Sequence, residues 1–150
     1  MTTSASMGTD RAAVGAPRVT IDGFAHVNLV ITDLDAALGF YVGVLGCEVL
    51  PRPDFGPVAT GAWLRVGRLQ LHLSVSEQVP DNRGSFPHTA LYVPAEHFAE
   101  TVAALEAAGV QFVMGHRSRE DFGVPVQTAF IADPDGNVLE LTDVPPLPTA

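Results

Sequence analysis

The sequence predicts an α+β fold made of two tandem βαβββ modules. Each half of the chain runs strand, helix, glycine and strand in the same order, with His26 to Gly46 spanning 20 residues and His88 to Gly109 spanning 21. The strand segments alternate apolar and polar residues, and the helix segments repeat apolar residues at helical spacing. Neither half is large enough to bury its own sheet, so the two halves should share one core.

The first module opens with a strand over residues 24–31, where β-branched and apolar side chains predominate. Thr32 or Asp33 would cap the helix that follows, and a glycine would end it. Gly39 and Gly43 weaken this helix intrinsically, so packing must hold it. Three more strands are predicted, at residues 47–51, 60–66 and 69–75.

The second module repeats this order. A strand over residues 87–93 leads into a helix over 95–108, which Gly109 ends. A strand at 110–114 precedes a long polar loop at 115–125. A strand at residues 126–132, a turn at 133–137 and a last strand at 137–142 complete the module. The turn reads Asp-Pro-Asp-Gly-Asn, which are all turn-forming residues.

We expect residues 21–143 to form one domain, with modules at about 21–78 and 86–143. Residues 1–20 are small and polar without a period, which predicts a disordered leader. Residues 144–150 contain three prolines and would form a C-terminal tail.

Composition and charge exclude several partners and chemistries. The formal net charge is −9 and all eight basic residues are Arg, which argues against nucleic acid or an anionic membrane as a partner. Without Lys, Schiff-base chemistry on Lys, a pyridoxal phosphate anchor and a phosphate-loop Lys are excluded. The single cysteine, Cys47, excludes an intramolecular disulfide and a cysteine-rich zinc site. Without a membrane-length apolar run or a signal-peptide pattern, we expect a cytoplasmic protein.

The alternation of side chains between the two faces of each strand predicts a candidate metal site. The apolar phase of four strands would face the helices through Leu29, Leu71, Leu91 and Leu141. The opposite phase of the same strands carries His26, His72, His88 and Glu140. A carboxylate in the middle of a short strand either lies on a solvated face or has a partner such as a metal ion, because burying it unpaired costs several kcal/mol. Four such side chains on one concave surface would hold one divalent ion, and they suit Fe, Mn, Co, Ni or Zn.

Five segments of the sequence, most of which contain one of these four residues, form a recognisable pattern. They are His26 with the helix behind it, Leu69-Gln70-Leu71-His72-Leu73, Pro87-His88-Thr89-Ala90-Leu91, Leu105-Glu106-Ala107-Ala108-Gly109-Val110, and Asp133-Pro134-Asp135-Gly136-Asn137 followed by Leu139-Glu140-Leu141. Over about residues 22–143 the sequence resembles the vicinal oxygen chelate superfamily, which includes glyoxalase I, extradiol dioxygenases and bleomycin-resistance proteins. The resemblance implies two βαβββ units forming an open, U-shaped β-barrel around a metal, a small-molecule substrate and a homodimer.

The resemblance implies metal-ligand roles for the four side chains, because they stand at the positions of the superfamily's ligands. His26, His88 and Glu140 match the two-histidine, one-carboxylate set of the metal-bearing branches. His72 stands where glyoxalase I and methylmalonyl-CoA epimerase place a fourth ligand, usually Glu or Gln. The ion would act as a Lewis acid on an enediolate-like intermediate in lyase or isomerase chemistry. Glu140, His72 or a bound water would move the proton.

Four further residues are candidates for substrate contact. Asn28 and Thr142 share the inward phase with the predicted ligands. Phe122 lies in the polar loop and would form a mobile lid over the site. Trp63 would either contact the substrate or pack in the core.

Two alternative functions remain open. An extradiol-type dioxygenase would keep His72 beside a three-ligand iron site, but Phe130 stands where those enzymes carry a Tyr. A metal-free, drug-binding protein of the bleomycin-resistance type would use the negative charge together with Trp63, Phe55 and Phe122. The four retained ligand-type residues argue against it. The fosfomycin-resistance branch is less favoured, because it binds a phosphonate with basic residues and this chain has no Lys.

Overall fold

The computed structural model describes residues 22–56, 59–81, 86–121 and 123–146. The first module contains β1 (His26–Ile31), α1 (Leu34–Leu38) with a π-helical continuation (Gly39–Val44), β2 (Glu48–Leu50), β3 (Gly61–Val66) and β4 (Leu69–Val75). The second contains β5 (Thr89–Tyr92), α2 (Ala95–Ala107), β6 (Gln111–Arg119), β7 (Val126–Ala132) and β8 (Val138–Thr142). The predicted leader at 1–20 and the predicted tail after residue 146 lie outside the described residues.

The strands form two four-stranded sheets with the same topology. Their orders are β1-β4-β3-β2, the first sheet, and β5-β8-β7-β6, the second sheet. In each module the first strand runs parallel to the last, and the other neighbours are antiparallel. The predicted α+β fold with two βαβββ modules is therefore confirmed. Within the described ranges the sheets stay separate and do not close into one barrel, and no helix there is long and apolar enough to cross a membrane.

The first helix starts where the sequence predicted and then changes geometry. Asp33 caps it, because its carboxylate accepts a hydrogen bond of 2.9 Å from the Ala36 amide. After one α-helical turn the chain widens into a π-helix that contains Gly39 and Gly43, the residues with the lowest intrinsic preference for regular α geometry here. Gly46 then adopts a φ of 73°, a left-handed conformation that glycine takes without strain at a helix end.

Strand β6 is longer than the sequence predicted. The strand expected at 110–114 is present, but it continues to Arg119, so the loop expected at 115–125 is wrong over residues 115–119. After two register shifts its polar end pairs with β7 through Arg117–Thr128, Ser118–Gln127 and Arg119–Val126. At the edge of the sheet, backbone pairing continues under exposed polar side chains, so hydrophobic alternation does not mark the end of the strand.

Side chains of both modules form one core. The four leucines predicted to face the helices all lie in it or against it: Leu29, Leu71, Leu91 and Leu141. The helices add Tyr41 and Phe98, which are 1% and 0% exposed. The shared core agrees with modules that are too small to bury their sheets alone.

The turn between β7 and β8 fastens the second module to the end of β1. Asp135 accepts hydrogen bonds from the Thr32 amide at 2.9 Å and from the Thr32 hydroxyl at 2.6 Å. The side-chain amide of Asn137 donates to the Val30 carbonyl at 2.9 Å. These polar contacts fix the position of β1 relative to β8, the strands that carry two of the predicted ligands.

A buried carboxylate lies under the same turn. Asp133 accepts four hydrogen bonds, from the Tyr41 hydroxyl, the amides of Asp135 and Asn137 and the side chain of Asn137. Burial, followed by the charge of Asp133, raises the pKa of Tyr41 above its ordinary value. The phenol therefore remains a donor, and the pair links the π-helical continuation of α1 in the first module to the turn of the second.

Candidate metal centre

The polar face of the first sheet carries a stack of three rings. The His26 and His72 ring centroids are 4.0 Å apart and their planes are inclined by 14°. On the other side of His72, the Trp63 ring lies 4.6 Å away at 9°. The rings come from β1, β4 and β3, which are adjacent in the sheet. We call His26, His72 and Trp63 the ring stack.

His72 is held at the centre of this stack by more than ring contacts. One of its ring nitrogens, Nε2, lies 3.0 Å from the Gln70 side-chain oxygen. Burial, followed by the charges of His26 and Arg52, lowers the pKa of His72. The imidazole is therefore favoured in its neutral form, with Nε2–H donating to Gln70.

The second sheet brings two predicted ligands into direct contact. His88 Nε2 lies 3.1 Å from Glu140 Oε2, and Glu140 is half-buried. His88 Nδ1 lies 3.0 Å from the Phe86 carbonyl oxygen, so Nδ1–H donates to it. In the neutral tautomer this leaves a lone pair on Nε2, facing a carboxylate oxygen that is also an acceptor. A shared cation, either a proton or a metal ion, is required between them.

The chemistry of this pair fits a metal ion. A ligating histidine commonly donates its other N–H to a carbonyl, as His88 does to Phe86. Two donor atoms that are each about 2.1 Å from one ion at nearly a right angle stand about 3 Å apart, and the observed separation is 3.1 Å. His88 and Glu140 are thus placed to bind one divalent ion.

Aromatic rings and a cavity flank the His88–Glu140 pair. Phe130 lies opposite Glu140 in the β7–β8 register and makes an edge contact with His88 at 5.5 Å. Phe86 packs 5.1 Å from Phe130. A cavity of about 600 Å³ opens beside His88, lined also by Leu29, Val79, Pro80, Phe86, Asp135 and Val138. It gives a small molecule room next to His88, between walls that are partly apolar and partly polar.

The four predicted ligands form two pairs and not one cluster. His26 and His72 share the first sheet, and His88 and Glu140 share the second. In the part of the chain that the structure describes, no three His, Cys, Asp or Glu side chains lie within reach of one ion. The joint ligand role of all four therefore stays a prediction, and a complete site requires the two polar faces to meet.

A model of the glyoxalase/bleomycin resistance protein/dioxygenase superfamily matches residues 23–141. The chain belongs to this superfamily. It is 28% identical over 127 residues to Glyoxylase I 4 of Arabidopsis thaliana, covering 82% of this chain and 71% of that protein. It is 24% identical over 124 residues to metallothiol transferase FosB of Lysinibacillus sphaericus, covering 81% and 82%. A crystal structure of a glyoxalase/bleomycin resistance protein/dioxygenase from Alicyclobacillus acidocaldarius matches with a TM-score of 0.66 and 25% identity, covering 81% and 90%.

The predicted substrate residues of this superfamily member have different surroundings. Asn28 lies on the polar face of the first sheet and accepts a hydrogen bond of 2.7 Å from Ser74. Trp63 has one ring face covered by His72. Thr142 is buried, and its hydroxyl accepts from the Val144 amide at 3.3 Å. Phe122 lies outside the described residues, so its predicted role as a lid stays a prediction.

Two features of the site were missed by sequence reasoning. The Phe86 carbonyl orients His88, but a backbone group leaves no mark in a sequence pattern. Thr128 is 1% exposed, and its hydroxyl has no hydrogen-bond partner among the described residues. It pairs with Thr142 on the face that carries Glu140, and a polar residue in the inward phase of β7 was the available indication.

Proposed function

We propose that this protein is a metal-dependent enzyme acting on a small molecule by lyase or isomerase chemistry, with His26, His88 and Glu140 holding one divalent ion. The observation that carries the proposal is the His88–Glu140 pair, in which the Phe86 carbonyl fixes the His88 tautomer. The relatives named glyoxylase and metallothiol transferase support the coarser statement that the protein is an enzyme of this superfamily. The identity of the ion, among Fe, Ni, Co, Mn and Zn, is left to measurement.

The residues of the chain would have separate roles in the reaction. When bound, the ion supplies Lewis acidity to an oxygen of the substrate. His88 is held in place by its bond to the Phe86 carbonyl, and the Phe130 ring contacts its ring edge to face. Glu140 and His72 are the groups proposed to move a proton. Asn28 and Thr142 are proposed to contact the substrate, and Trp63 and Phe122 would border it.

The separation of the two pairs supports a homodimer as the complete enzyme. Each chain presents one polar face with His26 and another with His88 and Glu140. We propose that the first sheet of one protomer meets the second sheet of its partner, so that each site takes ligands from both chains. A closed two-fold dimer then has two equivalent sites.

Metal titration tests the proposed centre. Calorimetry with Co²⁺ or Mn²⁺ on metal-stripped protein should give about one site per chain, and His88→Ala or Glu140→Ala should weaken binding by at least about 100-fold. His97→Ala is the matched control, because its side chain is 64% exposed. Full affinity in either ligand variant would overturn the assignment. If no ion binds the wild-type chain, metal-free ligand binding replaces the enzyme function, and a thermal-shift ligand screen follows.

The metal found in the protein then selects the activity assay. Iron would direct assays to catechols with oxygen uptake, the dioxygenase alternative. Nickel, cobalt or zinc would direct them to thiol adducts of 2-oxoaldehydes. Isomerisation of such an adduct, absent in Glu140→Ala and retained in His97→Ala, is the expected result.

Mixing two inactive variants tests whether sites are shared between chains. His26→Ala and Glu140→Ala each lack one ligand, but a mixed dimer would regain one complete site. After random subunit exchange, half of the dimers are mixed, so about a quarter of the wild-type metal capacity should return. If the mixture binds no more metal than the separate variants, each site is built within one chain.

A further inference from the structure

His72 has an aromatic ring against both of its faces. His26 lies 4.0 Å away on one side and Trp63 lies 4.6 Å away on the other, with planes inclined by only 14° and 9°. The three rings stand on adjacent strands, so the backbone ladders of the first sheet hold their order. The contacts on both ring faces limit what His72 can do.

The geometry prevents His26 and His72 from binding one ion together as they stand. The lone pair of an imidazole nitrogen lies in the plane of the ring, so a shared ion must lie in both planes. Because the ring centroids are 4.0 Å apart and the planes are inclined by only 14°, the planes meet only on the order of 15 Å away, well beyond a metal–nitrogen bond of about 2.1 Å. Turning His72 towards the ion would break both ring contacts and the 3.0 Å bond to Gln70.

His26 and His88 are oriented by different means. A ligating histidine needs a neighbour that fixes its ring, and this neighbour is usually a carbonyl or carboxylate. The Phe86 carbonyl does this for His88. Among the described residues no hydrogen bond holds a ring nitrogen of His26, and its closest ring contact is with His72. The stack is therefore the available means of fixing the His26 ring.

We propose that His72 stays off the metal, and that His72 and Trp63 are positioning residues that hold the His26 ring ready to bind the ion. This rests on the proposed function in one respect, the presence of a metal at His26. His26, His88 and Glu140 are then the protein ligands, and His72 does not join them as a fourth. Trp63 gains a role that needs no contact with substrate.

A metal-free measurement tests the stack directly. The proton chemical shifts of the His26 ring, measured by NMR on the full metal-stripped chain, report the rings above it. His72→Phe keeps a flat ring and should keep His26 near its wild-type shifts, whereas His72→Ala should move them towards those of an unstacked histidine. Unchanged shifts in His72→Ala would overturn the inference whether or not the protein binds a metal.

Metal affinity tests what the stack does. In a Co²⁺ titration, His72→Phe should bind within about threefold of wild type, whereas His72→Ala and Trp63→Leu should bind about 10-fold more weakly or worse. His26→Ala should lose at least about 100-fold. The visible spectrum of bound Co²⁺ should be the same in His72→Phe and wild type, because the ligand set is unchanged. His97→Phe is the control for introducing an exposed ring.

Three other outcomes would each contradict one part of the proposal. If His72→Phe loses as much affinity as His26→Ala, His72 is a ligand. If His72→Ala and Trp63→Leu bind like wild type while circular dichroism shows them folded, the stack does not position His26. If wild type and His97→Phe both bind no ion, the proposed function fails and the positioning role fails with it.

Discussion

Removing the Tyr41 hydroxyl tests how the two modules are joined. Tyr41 is 1% exposed, Asp133 is 4% exposed, and the hydroxyl donates to Asp133 Oδ2 at 2.8 Å. In Tyr41→Phe the ring keeps its packing, but this carboxylate oxygen loses one of its two donors. The other donor is the Asn137 side chain, also at 2.8 Å.

The expected cost follows from the three donors that remain. A hydrogen bond to a charged group contributes about 1.5–3 kcal/mol. Because Asp133 Oδ1 keeps two backbone donors and Oδ2 keeps Asn137, we expect a loss in the lower half of this range, about 2 kcal/mol. The raised pKa of Tyr41 adds a pH dependence. Above about pH 10 the unfolded chain releases the phenol proton that the folded chain keeps, so stability should fall as pH rises.

Urea unfolding at neutral and alkaline pH measures both effects. Tyr92→Phe is the matched control, because Tyr92 is 48% exposed, and it should change the unfolding free energy by less than about 0.5 kcal/mol. Tyr41→Phe should also lose its part of the alkaline decline. A change in Tyr41→Phe no larger than in the control would refute the account of a buried bond joining the modules.

Three further positions give predictions that the same methods can check. A Cβ on Gly61 would lie 1.9 Å from the Leu73 carbonyl oxygen, so Gly61→Ala should lower the unfolding free energy by about 2 kcal/mol or more. Gly115→Ala, with nothing within 4 Å of its Cβ, should cost far less; equal losses would contradict the clash. Burial raises the pKa of Cys47, so iodoacetamide at pH 8 should react more slowly with the folded chain than with the urea-unfolded chain. Asp33→Ala removes the cap of α1 and should cost about 1 kcal/mol in urea unfolding; an unchanged midpoint would show that this cap is dispensable.

The repeated order of the elements predicted the fold, and the alternation of side chains along the strands predicted the faces of the candidate site. Alternation along β4 put its leucines in the core and His72 on the opposite face, and the structure has both. The phase of β8 likewise placed Glu140 on the polar face of the second sheet. Period-two patterning carries this information because a strand alternates its side chains between two faces.

The alternation of apolar and polar residues could not predict the contacts between strands. The ring stack depends on two registers: β1 pairs with β4 so that Asn28 lies beside His72, and β3 pairs with β4 so that Trp63 lies opposite His72. The sequence of a single strand does not specify how it pairs with its neighbours. The orientation of His88 depends on a backbone carbonyl. The meeting of the two polar faces depends on how sheets pack, which phase along a single strand does not specify.

The metal content of the purified protein tests the central claim most directly. The wild-type chain, purified without a metal-leaching resin, and Glu140→Ala would be compared by elemental analysis. The account predicts about one Fe, Ni, Co, Mn or Zn per wild-type chain and its loss in Glu140→Ala. Full metal occupancy in Glu140→Ala would contradict the proposed centre.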